Sequence, residues 1–191
     1  MRLRWVCCAL ALFVSACAGR VAGPVVESGE RYVLQNSPVE DYLLGAGDKV
    51  KMTVFNEEAL SGEFGVNAEG SLSLPLIGDV PVLGKSVSSV AQTIQAKLAN
   101  GYLRDPRVSM EIITYRPFFI LGEIKLPGQY PYASGMTVMN AIAVAQGYTP
   151  RAHQSIIYIR KLGATEEVPY RLTPDLRVWP GDTIRIGERY F

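Results

Sequence analysis

The chain has 191 residues, with 19 Lys and Arg against 18 Asp and Glu, one His and three Cys. Near-neutral charge gives no electrostatic basis for nucleic-acid binding, and the length allows one domain or two small ones. All three cysteines lie within the first 17 positions, so no disulfide framework, thiolate metal site or other cofactor is expected in a folded body.

Arg2 and Arg4 make a cationic start, and Trp5 to Val14 form an apolar run of about ten residues, short of the roughly 20 that a spanning helix needs. Residues 1–16 are therefore read as a secretory signal peptide. Val14-Ser15-Ala16-Cys17 resembles a bacterial lipobox, which implies cleavage between Ala16 and Cys17, with a diacylglycerol thioether and an acylated amine on Cys17. At roughly 0.8 kcal/mol per buried methylene, several acyl chains hold a protein on a membrane for good where one does not. Ala18 stands where an aspartate would resemble an inner-membrane retention signal. By resemblance to sorted lipoproteins, the expected address is the periplasmic side of the outer membrane of a Gram-negative cell. Loss of Arg2 and Arg4 with the leader leaves 17 basic against 18 acidic side chains.

Residues 17–39 carry scattered Gly and Pro and no sustained period, and are read as a tether; a flexible stretch of about 22 residues has a root-mean-square span of roughly 25 Å. From position 40 the pattern becomes regular. Gly45, Gly47 and Asp48 form a turn, and Lys49 to Val54 alternates polar and apolar as a half-buried strand does. Ser71 to Leu74 alternates again and is closed by Pro75, with Ile77-Gly78-Asp79 read as the next turn. Ser86 can cap a helix that puts Val87, Val90, Ala91, Ile94 and Leu98 on one face and stops at Gly101. Val108, Met110 and Ile112 mark a further strand, so 40–115 is expected to be a small α+β unit.

Arg116-Pro117 interrupts the strand pattern and marks a module boundary. Phe118 to Leu121 resumes it, and Gly122 to Tyr130 reads as a hairpin whose turn is Pro127-Gly128, a fixed φ followed by a permissive one. Thr137 to Gln146 is a compact helix ended by Gly147. Strands follow at 156–160 and 168–171, and Gly181-Asp182 turns the chain into a last strand. Strands wrapped around one short helix suggest a β-grasp-like unit over 116–191; at about 75 residues its core is thin and it is expected to lean on a neighbour.

These residues carry a resemblance. "YLLGAGDKVKMTVF", "VNAEGSLSLPLIGDVPVLGKSV" and "PRVSMEI" resemble the polysaccharide biosynthesis/export domain, and "FILGEIKLPGQYPY", "TVMNAIAVAQGYT" and "PGDTIRIGERYF" are similar to a soluble ligand-binding β-grasp (SLBB) domain. In this order they resemble the Wza-type outer-membrane polysaccharide export lipoproteins. Ala46 stands where the family often has proline, and Gln146 where a second glycine is common before Gly147. Long members continue into another β-grasp repeat and a C-terminal amphipathic helix that helps build an outer-membrane barrel, whereas this sequence ends at Phe191. That pore is accordingly not carried over, and a separate outer-membrane partner, a β-barrel, is expected.

The resemblance implies a homo-oligomeric ring, anchored through its lipid, that encloses a path for an exported polysaccharide and is aligned with an inner-membrane copolymerase or tyrosine kinase. The other function the modules invite is a monomeric periplasmic lipoprotein binding a small soluble ligand such as a sugar.

Catalysis is not expected. Asp48 and Asp182 would serve as a glycosidase pair only at separations of roughly 5–10 Å; each lies in a Gly-Asp turn just before a strand, where aspartate bonds local amides, and each is read as a turn residue. His153, the single histidine, reads as a surface-loop residue, and Ser86, Ser88 and Ser89 as capping residues. Tyr130, Tyr132 and Tyr148 are read first as packing groups, with glycan stacking as the other use of their rings. Lys49 and Lys51 read as a solvated strand face.

Overall fold

The computed structural model describes residues 42–189 together with Val25 and Arg31. The leader, the cleavage site at Ala16 and Cys17, most of the tether and Phe191 lie outside the described residues. The chain builds two α+β modules, each with its own apolar core.

In the first module β1 (Lys49–Val54) is the middle of a three-stranded antiparallel sheet, between β2 (Gly62–Gly65) and β5 (Val108–Thr114). The alternation read from the sequence is realised: Val50, Met52 and Val54 are buried, and Lys49, Lys51 and Thr53 face solvent. Lys51 lies 4.0 Å from Glu111 across the strand pair, an exposed contact worth well under ~1 kcal/mol. A hairpin of β3 (Ser71–Leu74) and β4 (Gly78–Pro81) covers the core from another side. Helix α1 (Val87–Ala99) begins where Ser86 caps the Ser89 amide and lays Val90, Ile94 and Leu98 into the same core. Gly78 corrects the sequence reading. It is the first residue of β4, paired with Leu74, and the turn is Pro75-Leu76-Ile77, with Leu76 at φ 66°.

In the second module the sheet order is β7 (Gly128–Tyr130), β6 (Phe118–Gly122), β10 (Thr183–Glu188), β8 (Ala152–Arg160), β9 (Val168–Arg171). β10 runs parallel to β6 in the middle and every other pair is antiparallel. This puts β10, the last strand among the described residues, at the centre of the sheet, as a β-grasp requires. Phe118, Ile120, Ile157, Ile159, Ile184 and Ile186 form the inner face, and α2 (Val138–Val144) closes it with Val138, Ala141 and Ile142. Thr137 and Asn140 bond reciprocally at the start of α2 as a capping box.

The hairpin turn is not at Pro127-Gly128. Gly128 pairs with Ile120 inside β7 and does not have a positive φ, and Pro127 sits directly before it. The left-handed residue is Gly122, at φ 85°, where a Cβ would lie 2.1 Å from the Ile186 carbonyl oxygen. Glycine is needed there because β6 and β10 approach so closely. His153 lies in β8 rather than in a loop, and its Nδ1 accepts from the Ser155 and Ile156 amides at 3.4 and 3.1 Å.

Gln146 has a backbone conformation that favours glycine. It has φ 64° immediately before Gly147 at φ 85°, so a β-carbon occupies the left-handed region. Relieving that costs some unfolded-chain entropy, but the balance favours glycine. Gln146→Gly is expected to raise stability by about 0.5–1 kcal/mol, seen as a higher midpoint in urea with an unchanged slope.

Candidate functional site

The two Gly-Asp turns are built alike down to the atom. At 45–48 the Asp48 amide donates to the Gly45 carbonyl (3.1 Å) while the Gly45 amide donates to Asp48 Oδ2 (2.7 Å). At 179–182 the Asp182 amide donates to the Trp179 carbonyl (3.1 Å) and the Trp179 amide to Asp182 Oδ2 (2.8 Å). Gly47 and Gly181 both have positive φ, 91° and 86°, at the third position, and Pro180 stands where the first turn has Ala46. A fixed or small residue followed by a left-handed glycine is the composition of a type II turn.

Being turn residues is only part of their role, because both carboxylates are buried, Asp48 at 0% and Asp182 at 2% exposure, and each holds an arginine distant in sequence. Asp48 accepts from the Arg116 amide (2.8 Å) and from Arg116 Nη1 (3.3 Å), and its Oδ2 also takes the Tyr42 hydroxyl (2.7 Å). Asp182 takes Arg31 as a two-pronged pair, Nη1 to Oδ2 at 2.6 Å and Nη2 to Oδ1 at 3.1 Å. Burial works against the Arg31 charge, and the adjacent Asp182 more than offsets it, so the guanidinium is held above its ordinary pKa.

These contacts join the modules. Arg116 begins the second module yet bonds Asp48 in the first, and its Nε donates to the Pro180 carbonyl (3.1 Å) in the second turn. Its guanidinium stacks over Tyr42 at 5.4 Å. Gly45 permits this approach: a Cβ there would lie 1.7 Å from Arg116 Nη1. Beside the clamp, Tyr42, Tyr115 and Tyr132 meet edge to face at 4.9 and 5.3 Å, a ladder of rings crossing the seam.

Arg31 falls in the stretch read as a tether, and there the structure differs from that reading. It is 1% exposed, lies between the rings of Tyr170 and Trp179 at 5.6 and 5.1 Å, and accepts the Arg177 amide on its carbonyl (2.7 Å). A lone arginine in an irregular, mixed-charge segment has no periodic signature, so only the fold exposes it.

The tyrosines singled out from the sequence are packing groups. Tyr130 stacks on Phe118 at 5.9 Å and donates to the Leu126 carbonyl, Tyr132 belongs to the ladder, and burial raises the pKa of Tyr148. Burial also pushes the Tyr42 hydroxyl far above its ordinary value, with its bond to Asp48 the next cause. A tyrosine whose folded pKa is raised contributes stability that is complete below the unfolded pKa near 10 and is lost as pH rises beyond it. Stability is thus expected to fall steeply above about pH 10, and Tyr42→Phe should flatten that fall in melts at pH 8 and 11, with Tyr132 and Tyr148 supplying the remaining slope.

Among the described residues no three His, Cys, Asp or Glu gather to hold a metal ion, and no helix is long and apolar enough to cross a membrane. Asp48 with Arg116 forms a structural clamp between the modules, while Asp182 with Arg31 ties residue 31 to the second module.

The polysaccharide biosynthesis/export protein family model matches residues 36–113, and the SLBB domain model matches residues 117–171. The chain is 39% identical over 120 residues to the exopolysaccharide production protein ExoF of Rhizobium meliloti (strain 1021), covering 56% of this chain and 28% of that protein. It is 24% identical over 159 residues to a polysialic acid transport protein, KpsD, of Escherichia coli, covering 78% and 28%. The chain thus spans 28% of the length of either relative. The boundary between the two family matches falls at the Arg116 clamp.

Proposed function

This chain belongs to the polysaccharide biosynthesis/export family and carries an SLBB domain behind the export domain, and from that premise we propose that it is an envelope-associated component of a polysaccharide export machine. The observation that carries this reading is the two family matches in order, each on a module with its own core.

The role is passive. Copies of the chain close into a ring on the periplasmic side of the outer membrane, held there by acylated Cys17, and the ring surrounds the polymer delivered by an inner-membrane partner. Rigidity is what such a part needs, since a wall built from head-to-tail contacts closes only if every copy holds the same angle. The clamp of Arg116 on Asp48 and on the Pro180 carbonyl supplies that rigidity within each copy.

Native mass measurement of the detergent-extracted lipoprotein tests the assembly, with a defined multiple of the protomer expected. A monomer at every concentration would favour a small-ligand lipoprotein instead. Cys17→Ser is expected to move the protein from the membrane to the soluble periplasmic fraction and to abolish acyl labelling; retention with label intact would refute the anchor.

A further inference from the structure

Two adjoining hollows, about 480 and 270 Å³, run along β5 and share Val108 and Ser109, so they form one shallow trough beside α1. We propose that this trough is a contact site for a neutral, linear stretch of saccharide, an inference that rests on the export reading above and names where the polymer touches the first module.

Three features of the walls point to that ligand. The trough is lined by uncharged groups that both donate and accept: Ser86 and Ser88 in the first hollow, Thr53 and Gln95 in the second, Ser109 in both. Sugar hydroxyls also donate and accept, so they match such walls without requiring a charge. Among the described residues Arg107 is the single charged side chain that lines the trough, and it lines the second hollow alone, which suits an acidic polymer poorly. The helix start is no anion site in disguise, since Ser86 Oγ already accepts the Ser89 amide and lies 3.0 Å from Ser88 Oγ.

Flat apolar surface is the second feature. Phe55, at the end of β1, is 65% exposed and lines the second hollow; Tyr42 walls the first, with its hydroxyl turned to Asp48. An exposed aromatic at a strand end offers the C–H face of a pyranose a surface that water does not compete for. The third feature is β5 itself. It is an edge strand paired only to β1, so its outward peptide groups have no strand partner among the described residues and add further hydrogen-bonding capacity along the trough.

The test uses the full-length lipoprotein in detergent, titrated with cellohexaose and maltohexaose as neutral probes and a sialic acid hexamer as the acidic one, read by saturation-transfer NMR and calorimetry. Millimolar binding of a neutral hexasaccharide is expected, weakened at least tenfold by Phe55→Ala and by Ser109→Arg. Both are surface positions, and unchanged melting midpoints will show that the fold is retained. The assignment is overturned if neither neutral probe binds, if the acidic hexamer binds more tightly, or if Ser109→Arg alters the native mass and leaves binding untouched. Export in cells is a separate readout. Binding without any export phenotype would sink the export reading and leave the trough, whereas an export phenotype without binding would do the reverse.

Discussion

Replacing Arg116 with alanine is expected to lower stability by about 2–4 kcal/mol and to split one cooperative unfolding transition into two. The side chain is only 18% exposed, and it touches both modules: Asp48 on one side, the Pro180 carbonyl on the other, with the Tyr42 ring beneath. Its removal leaves a fully buried carboxylate held by the Tyr42 hydroxyl and two amides, without a compensating charge. Arg116→Lys should recover the charge but not the forked reach to two partners, and so fall between the two. Denaturant melts followed by Trp179 fluorescence and by far-ultraviolet circular dichroism will reveal the split as non-coincident curves. A single coincident transition in Arg116→Ala would mean that the tyrosine ladder alone couples the modules.

The second large effect is expected at the other turn. Asp182→Ala strands Arg31, which is 1% exposed, beside Tyr170 and Trp179 and removes the carboxylate that accepts both prongs of its guanidinium. It also deletes the carboxylate that accepts the Trp179 amide just ahead of the central strand β10. An unpaired buried guanidinium costs about 3–5 kcal/mol, a large fraction of the stability of a domain this size. Arg31→Ala should cost less, since Asp182 keeps its local amide, and the double variant Arg31→Ala with Asp182→Ala should cost less than the sum of the singles. Strict additivity across that cycle would show that the pair does not interact.

These two effects mark what could and could not be read from the sequence. β1 and β3 were legible at their full extent because period-two alternation survives in them, and α1 because Ser86 and a clean apolar face announce it. β2 was not legible. Its Gly-Glu-Phe-Gly carries glycine at both ends, and its strand character comes only from pairing with β1. β4 ends in Pro81 and begins at Gly78, both of which read as turn signals. The hairpin at 122–128 was placed correctly but its left-handed residue was not, because a Pro-Gly pair is a strong local signal and the close approach of Ile186 to Gly122 is a long-range one.

The clamp was half legible for the same reason. Gly-Asp before a strand announces a turn, and both aspartates hold one, yet the arginines that complete them lie 68 and 151 positions away. No local rule connects such residues. The proline of Arg116-Pro117 breaks the strand pattern and can be read locally, while nothing local marks the contacts that Arg116 makes with Asp48 and the Pro180 carbonyl.

Deletion of the gene, with the polymer followed on both sides of the envelope, tests the proposed export role most directly. The expected result is loss of surface polysaccharide while its sugar-nucleotide precursors continue to be made, with restoration by the native chain and not by Arg116→Ala. Unchanged surface polysaccharide in the deletion strain would contradict it.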